Sequence, residues 1–262
     1  KGSHNSSNNN FVKNGFNLSI ESAISMSVEN LLALEEFHGL IKPGDLAALK
    51  KLFDEEVIVN YEFGQSNDRF SQKVNELKDN SVIIKTTNGH GSGVLINADG
   101  YVLTNAHVVG DEDNYNIAIG DENYLASLIR KEKVRDVALI KIENYAGKAK
   151  GVMFAKKLPN IGDELYVIGT PLSLELGHSI TKGIVSAKRN LSGLPFYQTD
   201  AAINHGNSGG PVFDSSGELI ALTVSGIFTR NGASMNINYL IPIEDAVDSL
   251  NIESQLAPNS LS

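Results

Sequence analysis

Short apolar runs alternate with turn residues over much of this chain, beginning at Ser81. Many short strands at such spacing are typical of a β-barrel or a β-sandwich. Asn97-Ala98-Asp99-Gly100 joins two of the runs as a hairpin turn would. The 24 glycines and the absence of tryptophan suit a β-rich domain with many turns. The runs cover residues 82–84, 94–96, 101–103, 117–119, 137–142, 165–168, 180–185, 196–198, 212–213, 219–224 and 238–241.

The part of the chain before residue 81 has a different sequence pattern. We divide the chain into an Asn/Ser-rich, disordered or tag-like start (residues 1–15), a mostly helical extension (16–80), a β-rich domain (81–250) and a loose tail (251–262). Within the extension, helical periodicity runs from Ser19 to about residue 38, Asp45 and Ser66 can each cap a short helix, and residues 57–63 alternate as a strand does. Pro242 suits the start of a last helix over residues 243–250. The extension carries no recognisable chemistry, so packing or an interaction is its expected role.

Composition excludes several classes of function. The net charge of −9 argues against a nucleic acid as the main partner, because no basic stripe is present. The absence of cysteine excludes disulfides, a thiol nucleophile and Cys-ligated zinc. No apolar run approaches the roughly 18–20 residues needed to span a bilayer. We therefore predict no membrane span, and we predict neither a cofactor nor a metal site.

One serine lies in a setting that suits a nucleophile. Ser208 is flanked by small residues in the stretch Asn204-His205-Gly206-Asn207-Ser208-Gly209-Gly210-Pro211. Glycines allow a sharp turn and a close approach of another molecule. A serine hydroxyl reacts only when a base, an orienter for that base and N–H donors for the developing charge are at hand. The remaining sequence must supply these groups.

Among the six histidines, His107 is the best candidate for the base. It ends the strongly apolar stretch of residues 103–109, which we predict to be a strand that holds the ring at a cleft. His38 ends a predicted helix, and His90, His178 and His205 lie in glycine-containing loops. A hydrogen-bonded structural histidine is the alternative for any of these rings.

Asp136 is the candidate orienter of the base. It precedes the apolar run Val137-Ala138-Leu139-Ile140, which is typical of a buried strand. A carboxylate that enters such a strand costs free energy unless it is paired and hydrogen-bonded, and a histidine N–H is a suitable partner. With 31 acidic residues in the chain, a surface aspartate at a strand start is the alternative.

Three segments together resemble a known family. Residues 104–109 (TNAHVV), 136–141 (DVALIK) and 198–211 (QTDAAINHGNSGGP) are similar to the HtrA/Deg branch of the chymotrypsin-fold serine proteases. The chain order His, Asp, Ser is that of the chymotrypsin-like enzymes. The similarity covers about residues 81–250, and Gly91-Ser92-Gly93, residues 168–171 and Ile241-Pro242 also match.

The resemblance implies a fold and a reaction. It implies a mostly β protein with two six-stranded barrels, and a triad of His107, Asp136 and Ser208. The backbone N–H groups of Gly206 and Ser208 are expected to form the oxyanion hole, with Asn207 shaping the loop. The family's members are mostly extracytoplasmic, many act in protein quality control on unfolded polypeptides, and many are trimers or larger. The first hypothesis is therefore a serine endopeptidase outside the cytoplasm, with a homo-oligomer possible.

The resemblance also locates a substrate pocket. The residue about six before the nucleophile lies at the base of the pocket for the P1 side chain, and here it is Ala202, beside Ile203. Because no carboxylate is present there, a small or medium apolar P1 residue is expected. The strand over residues 222–227 is expected to form a pocket wall and to pair with the substrate backbone. The predicted substrate-binding residues are Ala202, Ile203, Thr223, Val224, Ser225 and Gly226.

The sequence differs from the family's usual pattern at two points, and two alternative functions remain to be considered. His205 stands where the family usually has proline, and an exposed loop histidine with no catalytic part is the simpler interpretation. Many family members carry PDZ domains after the protease, and twelve residues after Leu250 cannot hold one. The alternative function is a protease fold that acts as a chaperone or scaffold without turnover. A small-molecule esterase shares the chemistry, but its usual fold places the serine before the acid and the histidine.

Overall fold

The computed structural model describes residues 57–64, 68–87, 89–112, 114–169, 178–204, 206–228 and 234–254, with the backbone alone for 225–228 and 234–236. The elements in chain order are β1 (Val57–Ile58), β2 (Glu62–Phe63), α1 (Phe70–Asp79), β3 (Ser81–Thr86), β4 (Gly89–Leu95), β5 (Tyr101–Thr104), α2 (Ala106–Val109), β6 (Asn114–Ile119), β7 (Glu122–Glu132), β8 (Val137–Ile142), β9 (Met153–Phe154), β10 (Glu164–Gly169), β11 (Ser179–Leu191), β12 (Leu194–Thr199), β13 (Pro211–Asp214), β14 (Leu219–Phe228), β15 (Ser234–Pro242), α3 (Ile243–Ser249) and β16 (Ile252–Glu253).

Two closed barrels organise these strands. The first has the order β3-β4-β5-β8-β7-β6 and returns to β3. The second has the order β13-β10-β11-β12-β15-β14, and the pairing of β13 with β14 closes it. All pairings within both barrels are antiparallel. The predicted mostly β fold with two six-stranded barrels is therefore confirmed.

Each barrel has its own apolar interior, and a third cluster lies between them. Along β8, Ala138 and Ile140 pack inside the first barrel, whereas Val137 and Leu139 join the third cluster. The two sets alternate because successive side chains of a strand point to opposite faces. This explains why the run from Val137 to Ile142 is almost wholly apolar. We call the third cluster the seam; its members include Val94, Leu103, Val137 and Leu139 of the first barrel and Ile168, Phe213, Leu222 and Ile241 of the second.

Several predicted boundaries need correction. The single strand predicted over residues 57–63 is two short strands: β1 pairs in parallel with β16, and β2 pairs in parallel with β9. Between them, Val59 and Tyr61 are buried, and the Tyr61 ring stacks on Phe154 at 4.3 Å between centroids. The helix predicted to begin at Ser66, which lies outside the described residues, is described from Phe70, with Arg69 at the N-cap position. The predicted helices before residue 57 also lie outside the described residues.

The C-terminal prediction is partly right. The predicted last helix is α3, with Pro242 at its N-cap position. The tail was expected to be loose from residue 251, but Ile252 is 5% exposed and β16 pairs with β1. Burial of the Ile252 side chain explains this order, since it removes apolar surface from water. The division of the chain at residues 15, 80 and 250 stays a prediction.

Two strands had no clear signal in the sequence. Strand β7 carries charged and polar residues along most of its length and is largely half-exposed, so apolar runs do not mark it. Strand β9 has only two residues. In the parts of the chain that the structure describes, no helix combines the length and apolarity that crossing a bilayer requires.

Candidate active site

His107 lies on a short helix. The sequence analysis had predicted that it lies at the end of a strand, and this prediction was wrong. Strand β5 ends at Thr104, and Asn105 is the extended N-cap residue of α2. The strand ends here because the buried side chains of Thr104 and Asn105 form hydrogen bonds with other segments. Thr104 donates to the Ser92 carbonyl, and Asn105 donates to the Asp136 carbonyl. The His107 side chain is 50% exposed. The helix therefore presents the ring to solvent at the edge of the first barrel.

Asp136 holds His107 at two points. Its Oδ1 atom accepts the backbone N–H of His107 at 2.8 Å, and its Oδ2 atom is 2.7 Å from Nδ1 of the ring. The contact fixes Nδ1 as the protonated nitrogen and leaves Nε2 as the acceptor of a neutral ring. Asp136 was predicted to be buried, but its side chain is 23% exposed because it sits on the turn before β8.

Ser208 lies in a tight turn that exposes backbone donors. We call residues 206–210 the serine turn. Gly206 and Gly209 have φ of 95° and 78°, which side chains disfavour. Asn207 donates its N–H to the Asn204 carbonyl at 3.1 Å, and Gly209 donates to the Thr223 carbonyl at 2.9 Å. Among the described residues, none accepts a hydrogen bond from the Gly206 or Ser208 N–H group. These two donors are therefore available to a bound group.

A buried threonine holds the serine turn from behind. The Thr223 hydroxyl is fully buried, donates to the Asn207 carbonyl and accepts the N–H of Gly210 at 3.1 Å. The Ser208 hydroxyl donates to the Val224 carbonyl at 2.9 Å. Within the described part of the chain, no hydrogen bond joins Ser208 to His107. The acid–base pair and the hydroxyl are thus not yet connected.

Contacts across the seam bring the serine turn against the His107 segment. Ser92 of β4 donates its N–H to the Ser208 carbonyl at 2.9 Å and its hydroxyl to the Gly206 carbonyl at 2.7 Å. The Thr104 hydroxyl donates to the Ser92 carbonyl at 2.7 Å. A Cβ atom on Gly209 would lie 2.3 Å from the Thr104 hydroxyl and 2.9 Å from the Asn105 nitrogen. The turn is therefore packed two residues away from His107.

The predicted substrate-binding residues divide into two groups. Ala202 is exposed, whereas Ile203 is 2% exposed in the core of the second barrel and Thr223 is buried behind the serine turn. Ser225 and Gly226 pair through the backbone with Tyr239 and Asn238 of β15. We therefore narrow the predicted contacts with substrate to Ala202 and the strand from Val224 to Gly226. His205 lies outside the described residues.

Sequence reasoning missed several residues that hold the site together. Ser92, Thr104 and Asn238 share a signal, which is a polar residue within a strand, whereas Asn105 and Arg135 lie outside the strands and lack it. The carboxamide of Asn238, buried in β15, donates to the Ala201 carbonyl at 2.6 Å and so fixes the segment before Ala202. In the part of the chain that the structure describes, no group of three or more His, Cys, Asp or Glu residues could hold a metal ion. The missed residues are Ser92, Thr104, Asn105, Arg135 and Asn238.

Comparisons with known proteins agree with this geometry. A family model described as a trypsin-like peptidase domain matches residues 91–222, which is half of the chain. A probable periplasmic serine endoprotease, DegP-like, from Pseudomonas putida (strain GB-1) is 44% identical over 166 residues, which cover 62% of this chain and 34% of the relative. Its counterpart from Ectopseudomonas mendocina (strain ymp) is 46% identical over 162 residues, which cover 60% of this chain and 33% of the relative.

The chain thus spans about a third of the length of these curated relatives. Among solved structures, the HtrA-type protease AlgW with a tripeptide is 33% identical and matches with a TM-score of 0.60 over 68% of this chain and 61% of that chain. AlgW with a decapeptide is 27% identical and matches with a TM-score of 0.60 over 69% of this chain and 66% of that chain. Together with the two barrels, these matches assign the chain to the trypsin-like peptidase family, on its HtrA/Deg-like branch.

Proposed function

We propose that this chain is a serine endopeptidase that cleaves unfolded or exposed polypeptide segments through His107, Asp136 and Ser208. The observation that carries the proposal is the pair of hydrogen bonds between Asp136 and His107. One is made by the backbone N–H at 2.8 Å and the other by the ring Nδ1 at 2.7 Å. This arrangement sets both the tautomer and the direction of the ring. It suits a general base that works beside the two unpaired N–H groups of the serine turn.

The chemistry follows from these groups. The Ser208 hydroxyl attacks the scissile carbonyl while Nε2 of His107 takes its proton, and Asp136 stabilises the imidazolium that forms. The N–H groups of Gly206 and Ser208 receive the negative charge that develops on the carbonyl oxygen, and each such donor contributes about 10²–10³ in rate. His107 then protonates the leaving amine. Water repeats the sequence on the acyl-enzyme and releases the second product.

One rearrangement must precede the first step. The Ser208 hydroxyl donates to the Val224 carbonyl at 2.9 Å, so it has to turn toward Nε2 of His107 before it can lose its proton. Rotation about the side-chain torsion of Ser208 breaks this bond, and rotamers of half-exposed residues interconvert rapidly. Substrate that pairs with the strand from Val224 to Gly226 would engage backbone groups beside this bond. Binding and activation are therefore coupled at Val224.

The pocket suits a small or medium apolar P1 side chain. Ala202 is exposed at its expected base, and Ile203 and Ala201 pack into the barrel core behind it. An apolar base without a carboxylate gives Lys or Arg no partner, and burying an unpaired cation is costly. A peptide library should therefore be cleaved mainly after residues such as Ala, Val or Leu. Cleavage mainly after charged residues would contradict this specificity.

The endopeptidase proposal is tested by replacing the nucleophile. Ser208→Ala should lower casein hydrolysis by about 10⁶ and abolish labelling by a fluorophosphonate, with the fold unchanged by circular dichroism. Ser215→Ala is the matched control, because Ser215 is an exposed serine away from the serine turn. The control should keep wild-type turnover. Turnover by Ser208→Ala close to that of the wild type would refute the assignment.

A binding module with little turnover is the second candidate function. It is favoured by the same bond of Ser208 to Val224, which keeps the hydroxyl away from His107 in this structure. A chaperone or scaffold of this kind would bind unfolded casein and suppress its aggregation equally well with Ser208→Ala. It would also fail to react with the fluorophosphonate as wild type. Reaction of the wild-type serine separates the two functions.

Compartment and assembly are further parts of the proposal. The two curated relatives carry the word periplasmic in their names, and we propose an extracytoplasmic location for this chain as well. A homotrimer is proposed from the family resemblance. Cell fractionation tests the location, and sedimentation equilibrium tests the assembly; a cytoplasmic monomer would contradict both.

A further inference from the structure

Arg135 is a buried cation directly beside the proposed catalytic acid. It occupies the turn between β7 and β8, and the residue is 2% exposed. Burial lowers the pKa of its guanidinium, and the nearby Asp245 carboxylate opposes this shift. Burying a charged group costs several kcal/mol unless it is paired and hydrogen-bonded. Its surroundings therefore have to compensate for a considerable loss of hydration.

The contacts of the Arg135 guanidinium with Asp245, Pro195 and Phe196 lie on the other side of the seam. Its Nε atom forms an ion pair with Asp245 of α3, and its Nη2 atom donates to the Pro195 carbonyl of β12 at 2.5 Å. Its Cζ atom lies 4.4 Å from the centre of the Phe196 ring, where a cation interacts favourably with the face of the ring. A residue of the first barrel is thus anchored in the second barrel and in the C-terminal helix.

Asp136 itself has a backbone conformation that needs support. Its φ of 64° lies in the left-handed region, which costs about 1–2 kcal/mol for a residue with a side chain. Such strain persists only where the surroundings hold it. On one side, Asn105 donates its carboxamide N–H to the Asp136 carbonyl at 2.9 Å. On the other side, the Arg135 N–H bonds to the Glu132 carboxylate, and the Arg135 side chain is anchored across the seam.

We propose that Arg135 is a positioning residue, whose buried guanidinium anchors the turn before β8 on β12 and α3 and so aims the Asp136 carboxylate at His107. The inference rests on the proposed endopeptidase function for its effect on turnover. The geometric part, that Arg135 determines the Asp136–His107 contact, holds independently of turnover. The same anchor makes the acid of the first barrel respond to the position of the second.

The test compares two arginines that both reach the C-terminal part of the chain. Arg135→Met removes the anchor. Arg130→Met is the matched control, because Arg130 lies on β7, outside the turn that holds Asp136, and its Nη1 atom donates to the Leu250 carbonyl at 3.0 Å. At a temperature where both variants are folded, Arg135→Met should lower kcat about 10²-fold with little change in KM, the scale that a 1 Å misplacement produces. Arg130→Met should stay within about threefold.

A second variant keeps the test valid if Arg135→Met folds poorly. Arg135→Met leaves the Asp245 carboxylate without its cation, so the double variant Arg135→Met/Asp245→Asn removes that unpaired charge. The double variant should recover thermal stability but not kcat. Arg135→Lys should recover kcat only in part, since an ammonium lacks the planar geometry that the ring and carbonyl contacts use.

A readout without turnover separates this inference from the proposed function. The hydrogen-bonded proton on Nδ1 of His107 gives a low-field NMR resonance, which should shift or disappear in Arg135→Met and in the double variant and persist in Arg130→Met. A folded double variant with the wild-type resonance and wild-type kcat would overturn the inference. A wild-type protein that shows the resonance but neither labelling nor cleavage would overturn the endopeptidase proposal alone.

Discussion

The two barrels hold their shares of the site in different states. In the first barrel, Asp136 bonds both the backbone and the ring of His107, so the acid–base pair is fully assembled. In the second barrel, the serine turn is shaped and its donors are free, but the Ser208 hydroxyl bonds to Val224 of its own barrel. The proposed acid and base are therefore hydrogen-bonded to each other, whereas the proposed nucleophile is hydrogen-bonded within its own barrel.

This difference indicates where control of the site lies. Among the described residues, contacts within a barrel hold each half of the site, and contacts across the seam relate the two halves. Ser92 joins the barrels through its hydrogen bond to the Gly206 carbonyl, and Arg135 joins them through a buried ion pair. A small shift at the seam would therefore change the distance between base and nucleophile without disturbing either barrel. Packed interfaces respond to such shifts in discrete steps.

Among the variants that test this difference between the barrels, the largest effect is expected in the first barrel. Asp136→Asn keeps an oxygen for the backbone N–H of His107 but presents an amide N–H to the ring, which favours the wrong tautomer. We expect kcat to fall about 10⁴-fold, as in triads of this kind, with the fold intact. Asp111→Asn is the control, because Asp111 is an exposed acid of the first barrel whose contacts are to Lys131 and Lys133. Peptide hydrolysis measures both variants.

If Asp136→Asn instead loses less than about tenfold in kcat, the first barrel is not the preorganised half. The comparison between the barrels would then fail, whatever the activity of the wild type. An equal loss in Asp111→Asn would point to a change in the barrel as a whole.

A glycine at the seam gives the next largest effect. Gly209 has φ of 78°, and an added Cβ would lie 2.3 Å from the Thr104 hydroxyl and 2.4 Å from the Ser92 carbonyl. Gly209→Ala therefore both strains the backbone and pushes the barrels apart. Because misplacement by about 1 Å can cost 10²-fold in rate, we expect at least that loss of kcat. Turnover per folded molecule, corrected by active-site titration, is the measurement.

Gly217→Ala separates strain from displacement. Gly217 has a similar φ of 76°, but the atoms nearest to its added Cβ belong to the Leu77 and Lys73 side chains, at 3.1 and 3.2 Å. Both variants should lose about 1–2 kcal/mol of stability from the backbone. Only Gly209→Ala should lose activity. Equal activities in the two folded variants would show that the seam does not set the relation between the halves.

Features within each barrel could be predicted from the sequence, whereas contacts between the barrels could not. The runs around Val137 and Leu219 predicted strands correctly, because burial on both faces makes such strands continuously apolar. Strand β7 escaped notice because its side chains are mostly half-exposed and carry no apolar pattern. The chain's three motifs named the candidate residues of both halves, since those motifs are local.

Relations across the seam left no such signal. Nothing in the sequence pairs Arg135 with Asp245, which lies 110 positions later, because a buried ion pair needs the folded chain to bring the two together. The bond of Ser208 to Val224 depends on a rotamer, which a motif does not specify. His107 was placed on a strand because Ala106, Val108 and Val109 are apolar, although they form a single helical turn.

The smallest predicted effect concerns a seam contact that titrates. His178, next to the start of β11, places its Nε2 atom 2.6 Å from the Ser81 carbonyl of β3 and donates a hydrogen bond to it. Burial lowers the pKa of His178 below its ordinary value of 6.5, and the bond to Ser81 opposes the shift only in part. The unfolded chain therefore binds more protons in the interval between the two pKa values, so His178 contributes stability above pH 6.5 that is lost as the pH falls through that interval.

His178→Gln tests this contribution, since glutamine can donate to the Ser81 carbonyl but does not titrate. We expect the wild type and the variant to unfold at similar denaturant concentrations at about pH 7.5, and the wild type to lose more stability than the variant toward about pH 5.5. Glu244 and Asp245, whose pKa values are raised by burial, change stability in the opposite direction, but they are present in both proteins and cancel in the difference. A difference that is constant across this range would show that the contact of His178 with β3 is insensitive to protonation.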